Sequence, residues 1–62
     1  MSQKARIWEY MRNGHAIDPI TALNMFGCYR LAARICELRR EGKPIVGEPH
    51  GNHFVYRAGL IQ

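Results

Sequence analysis

Cysteines, acidic residues and long apolar segments are all scarce in this sequence. Cys28 and Cys36 are the only cysteines and form no Cys-x-x-Cys motif, so we expect neither a disulfide framework nor a redox site. No apolar run approaches the about 20 residues of a membrane-spanning helix. Polar residues also follow Met1, where a signal peptide has its apolar region. We therefore expect a cytoplasmic protein that does not enter a membrane and whose two thiols are buried or half-buried.

The same scarcity argues against an enzyme and against a metal centre. The five carboxylates come without a glycine-rich phosphate loop or a nucleophile elbow, so we expect no catalytic residues and no cofactor. Two cysteines and two histidines could suggest zinc: Cys28, Cys36, His50 and His53. A helix would separate the two cysteines by about 12 Å, which is too far for them to share one zinc ion.

The chain does have an excess of positive charge on a small domain. Its 62 residues are enough for one core, and we expect a single domain over residues 1–62. Nine Lys and Arg residues against five Asp and Glu residues give a formal net charge of +4, which suggests a polyanionic partner. Much of the positive charge falls within one segment that contains Arg30, Arg34, Arg39, Arg40 and Lys43.

Capping residues mark the starts of two helices. Ser2 precedes an apolar pattern of helical spacing and predicts a first helix over about residues 2–13. Asp18 followed by Pro19 is typical of an N-cap and a first helical position, and predicts a second helix over about residues 19–26.

A third and longer helix is predicted between Gly27 and Gly42, over about residues 28–41. On a helical wheel the apolar side chains share one face, which contains Cys28, Leu31, Ala32, Ile35 and Leu38. Small, polar and charged side chains lie on the other side, namely Tyr29, Arg30, Ala33, Glu37 and Arg40. Such an outer face suits a helix that meets a partner.

The remaining sequence predicts a two-stranded β-hairpin over about residues 44–58. The β-prone segments 45–46 and 54–56 flank a turn-rich stretch with residues 51–52 at its tip. A lone hairpin is marginal in water and must pack on the helices. Segment 15–17 is too short for a helix, so it is a linker or a short strand that could pair with the hairpin.

Aromatic residues are expected to form the core and its edge. This group contains Trp8, Tyr10, Phe26, Phe54 and Tyr56. In the tail, Leu60 and Ile61 could also reach the core.

This order of elements is that of an α+β fold with a three-helix helix-turn-helix core and a C-terminal two-stranded wing, a winged helix. Four short motifs carry a more specific likeness. They are the helix start at Asp18-Pro19, the turn Phe26-Gly27-Cys28, the run Arg30-Leu31-Ala32-Ala33-Arg34-Ile35 and the stop Arg39-Arg40-Glu41-Gly42. This pattern resembles the small winged helix-turn-helix domain of bacteriophage and prophage proteins. Those proteins more often have Ser or Thr where Asp18 stands, and the short tail predicts no effector domain.

Both the element order and the resemblance imply a protein that binds double-stranded DNA. The third helix is expected to read the major groove, and the wing to touch the backbone or minor groove. A phage-type transcriptional regulator or nucleoprotein-assembly factor fits this interpretation. It would act as a homodimer or cooperative oligomer, because one module buries only about 600–1,000 Å² on DNA. The candidate DNA-binding residues are Thr21, Tyr29, Arg30, Ala33, Arg34, Glu37, Arg40, Lys43, Asn52, His53 and Arg57.

An alternative is a protein-interaction module on the same scaffold, such as a phage inhibitor or adaptor of a host or phage protein. It would bind through Trp8, Tyr29 or the wing. Some candidates also have simpler explanations: Arg34 could pack or pair internally, and His53 could be a solvent-exposed turn residue. Binding that weakens steeply with salt would distinguish DNA from an apolar protein partner.

Overall fold

The computed structural model describes residues 2–59 and contains three helices followed by an antiparallel hairpin. The helices are α1 (Gln3–Arg12), α2 (Pro19–Phe26) and α3 (Leu31–Arg40), and the strands are β1 (Ile45–His50) and β2 (His53–Ala58). The predicted α+β winged-helix architecture is therefore confirmed. None of the helices in the described part of the chain has the length and apolar character needed to cross a membrane.

The first two helices start where their capping residues predict. The Ser2 side chain accepts a hydrogen bond of 3.1 Å from the backbone N–H of Ala5. At α2, Asp18 Oδ1 accepts one of 2.7 Å from the N–H of Thr21, and Pro19 occupies the first helical position. Each cap satisfies an amide that the helix itself leaves without a partner.

The third helix begins at Leu31, later than the sequence predicts, because a turn occupies the preceding residues. Gly27 has a φ of 65°, and the N–H of Cys28 donates to the Ala22 carbonyl at 3.1 Å. Arg30 is the N-cap of α3, with φ −124° and ψ 68°, so it is not yet helical. The prediction of helix from Cys28 onward was wrong. The other helix ends lie within one residue of their predicted positions.

The core lies where the three helices meet the base of the hairpin. Its buried side chains are Ile7, Met11, Ile17, Ala22, Cys28, Leu31, Ile35 and Leu38. The predicted apolar face of α3 is confirmed for Leu31, Ile35 and Leu38. Ala32 was wrongly assigned to this face: it is exposed, because it lies about 100° around the helix from Leu31. Cys36 is exposed, contrary to expectation, because it lies about 140° around the helix from Leu31. Residues 60 and 61 lie outside the described residues.

Segment 15–17 does pair with the hairpin. The N–H of Ile17 donates to the Tyr56 carbonyl at 2.8 Å, and the N–H of Tyr56 donates to the Ile17 carbonyl at 2.8 Å. This antiparallel bridge confirms the short-strand interpretation. Because β1 pairs with the other edge of β2, β2 lies in the middle of the small sheet.

Strand alternation divides the hairpin into two faces. The inner face consists of Ile45, Gly47, Pro49, Phe54, Tyr56 and Ala58. Of these, Ile45, Tyr56 and Ala58 pack against the core. The outer face consists of Val46, Glu48, His50, His53, Val55 and Arg57. Phe54 is half exposed, so its assignment to the core was wrong: it lies beyond Tyr56, where the core-packed part of the inner face ends.

We expect Asp18→Ala to lower the free energy of unfolding by about 1 kcal/mol at pH 7, because the Thr21 amide loses its acceptor. Hydrogen bonds from Thr21 hold the pKa of the Asp18 carboxyl below its ordinary value. The stabilisation is therefore present above that ordinary value and is lost as the pH falls through the folded-state pKa. Urea unfolding followed by circular dichroism, at pH 7 and in steps down to about pH 2, measures the difference.

Asp18→Asn is the matched control, since its side chain keeps an acceptor that does not titrate. This variant should retain most of the cap at every pH. Equal stability of wild type and Asp18→Ala at pH 7 would show that the cap contributes nothing.

Candidate nucleic-acid interface

The outer surface of α3 carries several small side chains, with an arginine at its C-terminal end. Away from its buried face, the helix exposes Ala32, Cys36 and Arg40. Ala33 and Glu37 are half-buried on the same outer side. Small side chains allow another molecule to approach the helix backbone closely. The surface therefore suits a helix that enters a groove.

An open cleft of about 470 Å³ lies between the start of α3 and the hairpin. Its walls come from the start of α2, from the turn and first residues of α3, and from the middle of β2, and consist of Pro19, Tyr29, Arg30, Leu31, Ala32, Ala33 and Tyr56. Tyr29 is 86% exposed at this cleft. A phenol, a guanidinium and the first turn of α3 thus face the same space.

The first amides of α3 have no side-chain cap. Arg30 occupies the N-cap position, and its side chain offers no acceptor to them. Free amides and the helix dipole give a helix N-terminus a preference for anions. The guanidinium of Arg30 adds a full positive charge at the same end of α3.

Elsewhere on the surface the glutamates are paired with basic side chains. Glu9 pairs with Arg12 at 3.0 Å on α1, and Glu48 pairs with Arg57 on the outer face of the hairpin. Near the end of α3, the ammonium of Lys4 hydrogen-bonds to Glu41 and holds the pKa of that carboxyl below its ordinary value. These pairs compensate the charge over much of the scaffold.

Four arginines form no salt bridge with any residue of the described chain: Arg6, Arg30, Arg39 and Arg40. Three of them lie on α3 or at its cap. Arg39 donates to the Ile45 carbonyl at 3.2 Å and lies 6.0 Å from the centre of the Tyr56 ring, while Arg6 lies over Phe26 on another side of the molecule. Uncompensated positive charge is therefore concentrated on α3.

The structure brings some of the predicted DNA-binding residues together. Tyr29, Arg30 and Ala33 surround the cleft, and Arg40 is exposed near the other end of α3. Thr21 is half-buried in the first turn of α2, where its amide is used by the cap of that helix.

Other predicted residues point into local contacts. Arg34 pairs with Glu37 at 3.3 Å. Lys43 lies 3.8 Å from a Glu41 oxygen, and its ammonium is 6.0 Å from the centre of the Trp8 ring. These four charged groups therefore belong to compensated pairs, one on α3 itself and one just after its end.

The remaining candidates lie on the hairpin. Arg57 is engaged with Glu48 on the outer face. Asn52 is exposed in the turn at the tip. His53 is half-buried, and its charge contributes to the lowered pKa of Asp18. None of these three side chains lines the cleft.

Sequence reasoning missed three residues of this surface: Cys36, Arg39 and Tyr56. The helical wheel contained the signal for Cys36, which lies three residues after Ala33 and four before Arg40 on the outer side. Strand alternation places Tyr56 on the same face as Ala58, but its position beside the cleft depends on the pairing with Ile17. Arg39 contacts Tyr56 across the fold, which no local pattern predicts.

Comparison with known proteins agrees with this geometry. No curated protein and no solved structure matches the chain significantly. The family profile of the winged helix-turn-helix domain matches residues 2–49, which include the three helices and nearly all of β1. The chain belongs to the winged helix-turn-helix domain family.

Proposed function

We propose that this chain binds double-stranded DNA with α3 in the major groove, and that it serves as a phage-type transcriptional regulator or nucleoprotein-assembly factor. Membership of the winged helix-turn-helix family supports DNA binding. The observation that carries the proposal is the uncompensated charge of Arg30 at the N-cap of α3 and of Arg39 and Arg40 at its end. Basic side chains concentrated on one helix are typical of a nucleic-acid interface.

The dimensions of α3 suit this role. The major groove is about 12 Å wide and admits one α-helix. Ala32, Ala33 and Cys36 let the helix backbone approach the base edges. Arg30 and Arg40 stand near opposite ends of α3, which is about 15 Å long, so each can reach a phosphate or a guanine edge.

Two further parts of the proposal concern mode of action. We propose that the protein acts by binding and without catalysis, in the host cytoplasm. Two copies or a cooperative array would bind together, because one winged module buries only about 600–1,000 Å² on DNA. The mass of the complex in solution gives the number of copies bound.

A protein partner is the second candidate function, and one observation favours it. The outer side of α2 exposes Ile20, which is 65% accessible, together with Leu23. Exposed apolar side chains at helical spacing are typical of contact surfaces. Binding to an apolar partner should not weaken steeply with salt, which distinguishes this candidate from DNA binding.

The double variant Arg30→Ala, Arg40→Ala should bind duplex DNA much more weakly than wild type, and with a shallower salt dependence. Each phosphate that a protein neutralises makes binding about 3–4-fold weaker between about 50 and 200 mM salt. Losing two such contacts should reduce the slope accordingly. Fluorescence anisotropy with labelled random-sequence and promoter duplexes, at both salt concentrations, measures the effect.

Arg12→Ala is the matched control, because Arg12 is an exposed arginine already paired with Glu9 on α1. It should bind DNA nearly as wild type does. If this control loses as much affinity as the double variant, α3 is not the interface. If folded wild type does not bind at about 50 mM salt, the DNA proposal is wrong and a protein partner takes its place.

DNA should protect Cys36 from alkylation, because the thiol lies exposed on the outer surface of α3. In the free folded protein, iodoacetamide should modify Cys36 readily, while Cys28 is buried and reacts only after unfolding. Added duplex should slow the reaction of Cys36 in proportion to the bound fraction, and high salt should restore it. Peptide mass spectrometry at timed points gives both rates.

An unchanged rate at Cys36 in fully bound protein would place the DNA on a different surface. Cys28 provides the internal control, since faster modification of this thiol would report unfolding during the experiment.

A further inference from the structure

The distal half of the inner face of the hairpin carries an exposed apolar pair. Pro49 and Phe54 lie directly opposite each other in the register, one pair before the pair that flanks the turn. Both are exposed, and Phe54 is 50% accessible. Neither residue packs against the core.

The ring of Phe54 packs against Tyr56, whose own position is held by several contacts. The two rings are stacked, with centroids 6.2 Å apart and planes inclined by 21°. The backbone of Tyr56 is held by its hydrogen bonds to Ile17, and its ring by contact with the core and the guanidinium of Arg39. Phe54 is therefore braced against the scaffold, as a side chain must be if it is to push between other groups.

The distribution of charge around the hairpin indicates which kind of molecule binds its inner face. On the outer face of the hairpin, Glu48 neutralises Arg57. The inner face carries no charged side chain, and through Tyr56 it continues into the cleft beside Arg30 and Arg39. A polyanion held by these arginines is therefore brought against the inner face. This continuity favours DNA over an apolar protein partner.

We propose that Pro49 and Phe54 form an apolar wedge that enters the minor groove beside the major-groove site, inserts at a base step and kinks the duplex. Phe and Pro are among the side chains that proteins insert between base steps from the minor groove, which kinks DNA by about 20–90°. Phe54 lies about 7 Å beyond Tyr56 along β2, so the wedge extends past the cleft. The inference rests on the proposed DNA binding and adds that the protein reshapes its target.

Two fluorescence signals test this wedge, each on its own version of a short duplex with flexible TA steps. One version carries a donor and an acceptor dye at its ends, and the other carries 2-aminopurine at one such step. Wild type should shorten the distance between the dyes and raise the 2-aminopurine fluorescence as the step unstacks. Phe54→Ala should bind with salt-dependent affinity within a few-fold of wild type, but both signals should fall to the level of free DNA.

Two further variants make the test specific. Val46→Ala removes an apolar side chain of similar exposure, 47%, from the outer face of the same hairpin, and should leave both signals intact. Phe54→Leu keeps an apolar wedge and should retain most of the bend. Circular dichroism confirms that each variant is folded.

Three results would overturn the inference. Salt-sensitive binding by wild type without bending or unstacking would reject the wedge and leave the proposed function standing. Equal loss of signal in Val46→Ala and Phe54→Ala would show a general defect of the hairpin. Absence of binding by folded wild type would reject both the wedge and the proposed DNA-binding function.

Discussion

Pairing between Ile17 and Tyr56 is the interaction on which the rest of this structure depends. Two backbone hydrogen bonds join the segment before α2 to the middle strand of the sheet. A hairpin of two strands alone would be marginally stable in water, and this bridge fastens it to the helical core. It also sets the ring of Tyr56 beside the start of α3, so the cleft and the wing share one anchor.

The distribution of charge follows a simple rule across the surface. Glutamates pair with basic side chains on α1, on the hairpin and within α3, whereas Arg30 and Arg40 near the two ends of α3 form no salt bridge with a described residue. Exposed ion pairs contribute only about 0–1 kcal/mol each to stability. Their larger effect here is on the electrostatic potential, because three of the four arginines without a salt bridge in the described chain lie on α3 or at its cap.

The fold was largely predictable because its boundaries have local chemical causes. Asp18 and Pro19 mark the start of α2 through capping and a preset backbone angle, and the structure has both features. The start of α3 carried no such mark: the N-cap side chain of Arg30 accepts no hydrogen bond, and Cys28 continues the apolar phase of the helix although it lies in the turn. A helical wheel could not separate the turn from the helix, since both place apolar groups toward the core.

The candidate site was predictable only where it is local to one helix. Tyr29, Arg30 and Ala33 were predicted from the periodicity of residues 28–41 and do line the cleft, although the first two lie in the turn before α3. The engagement of Lys43 with Glu41 and Trp8, and the position of Tyr56 beside the cleft, arise from contacts between elements. The turn at residues 51–52 is free of such contacts. Adding one residue to each strand there would extend the wing by about 3.4 Å and keep every existing pair on its face. Wing length is thus a dimension that evolution can vary without disturbing the core.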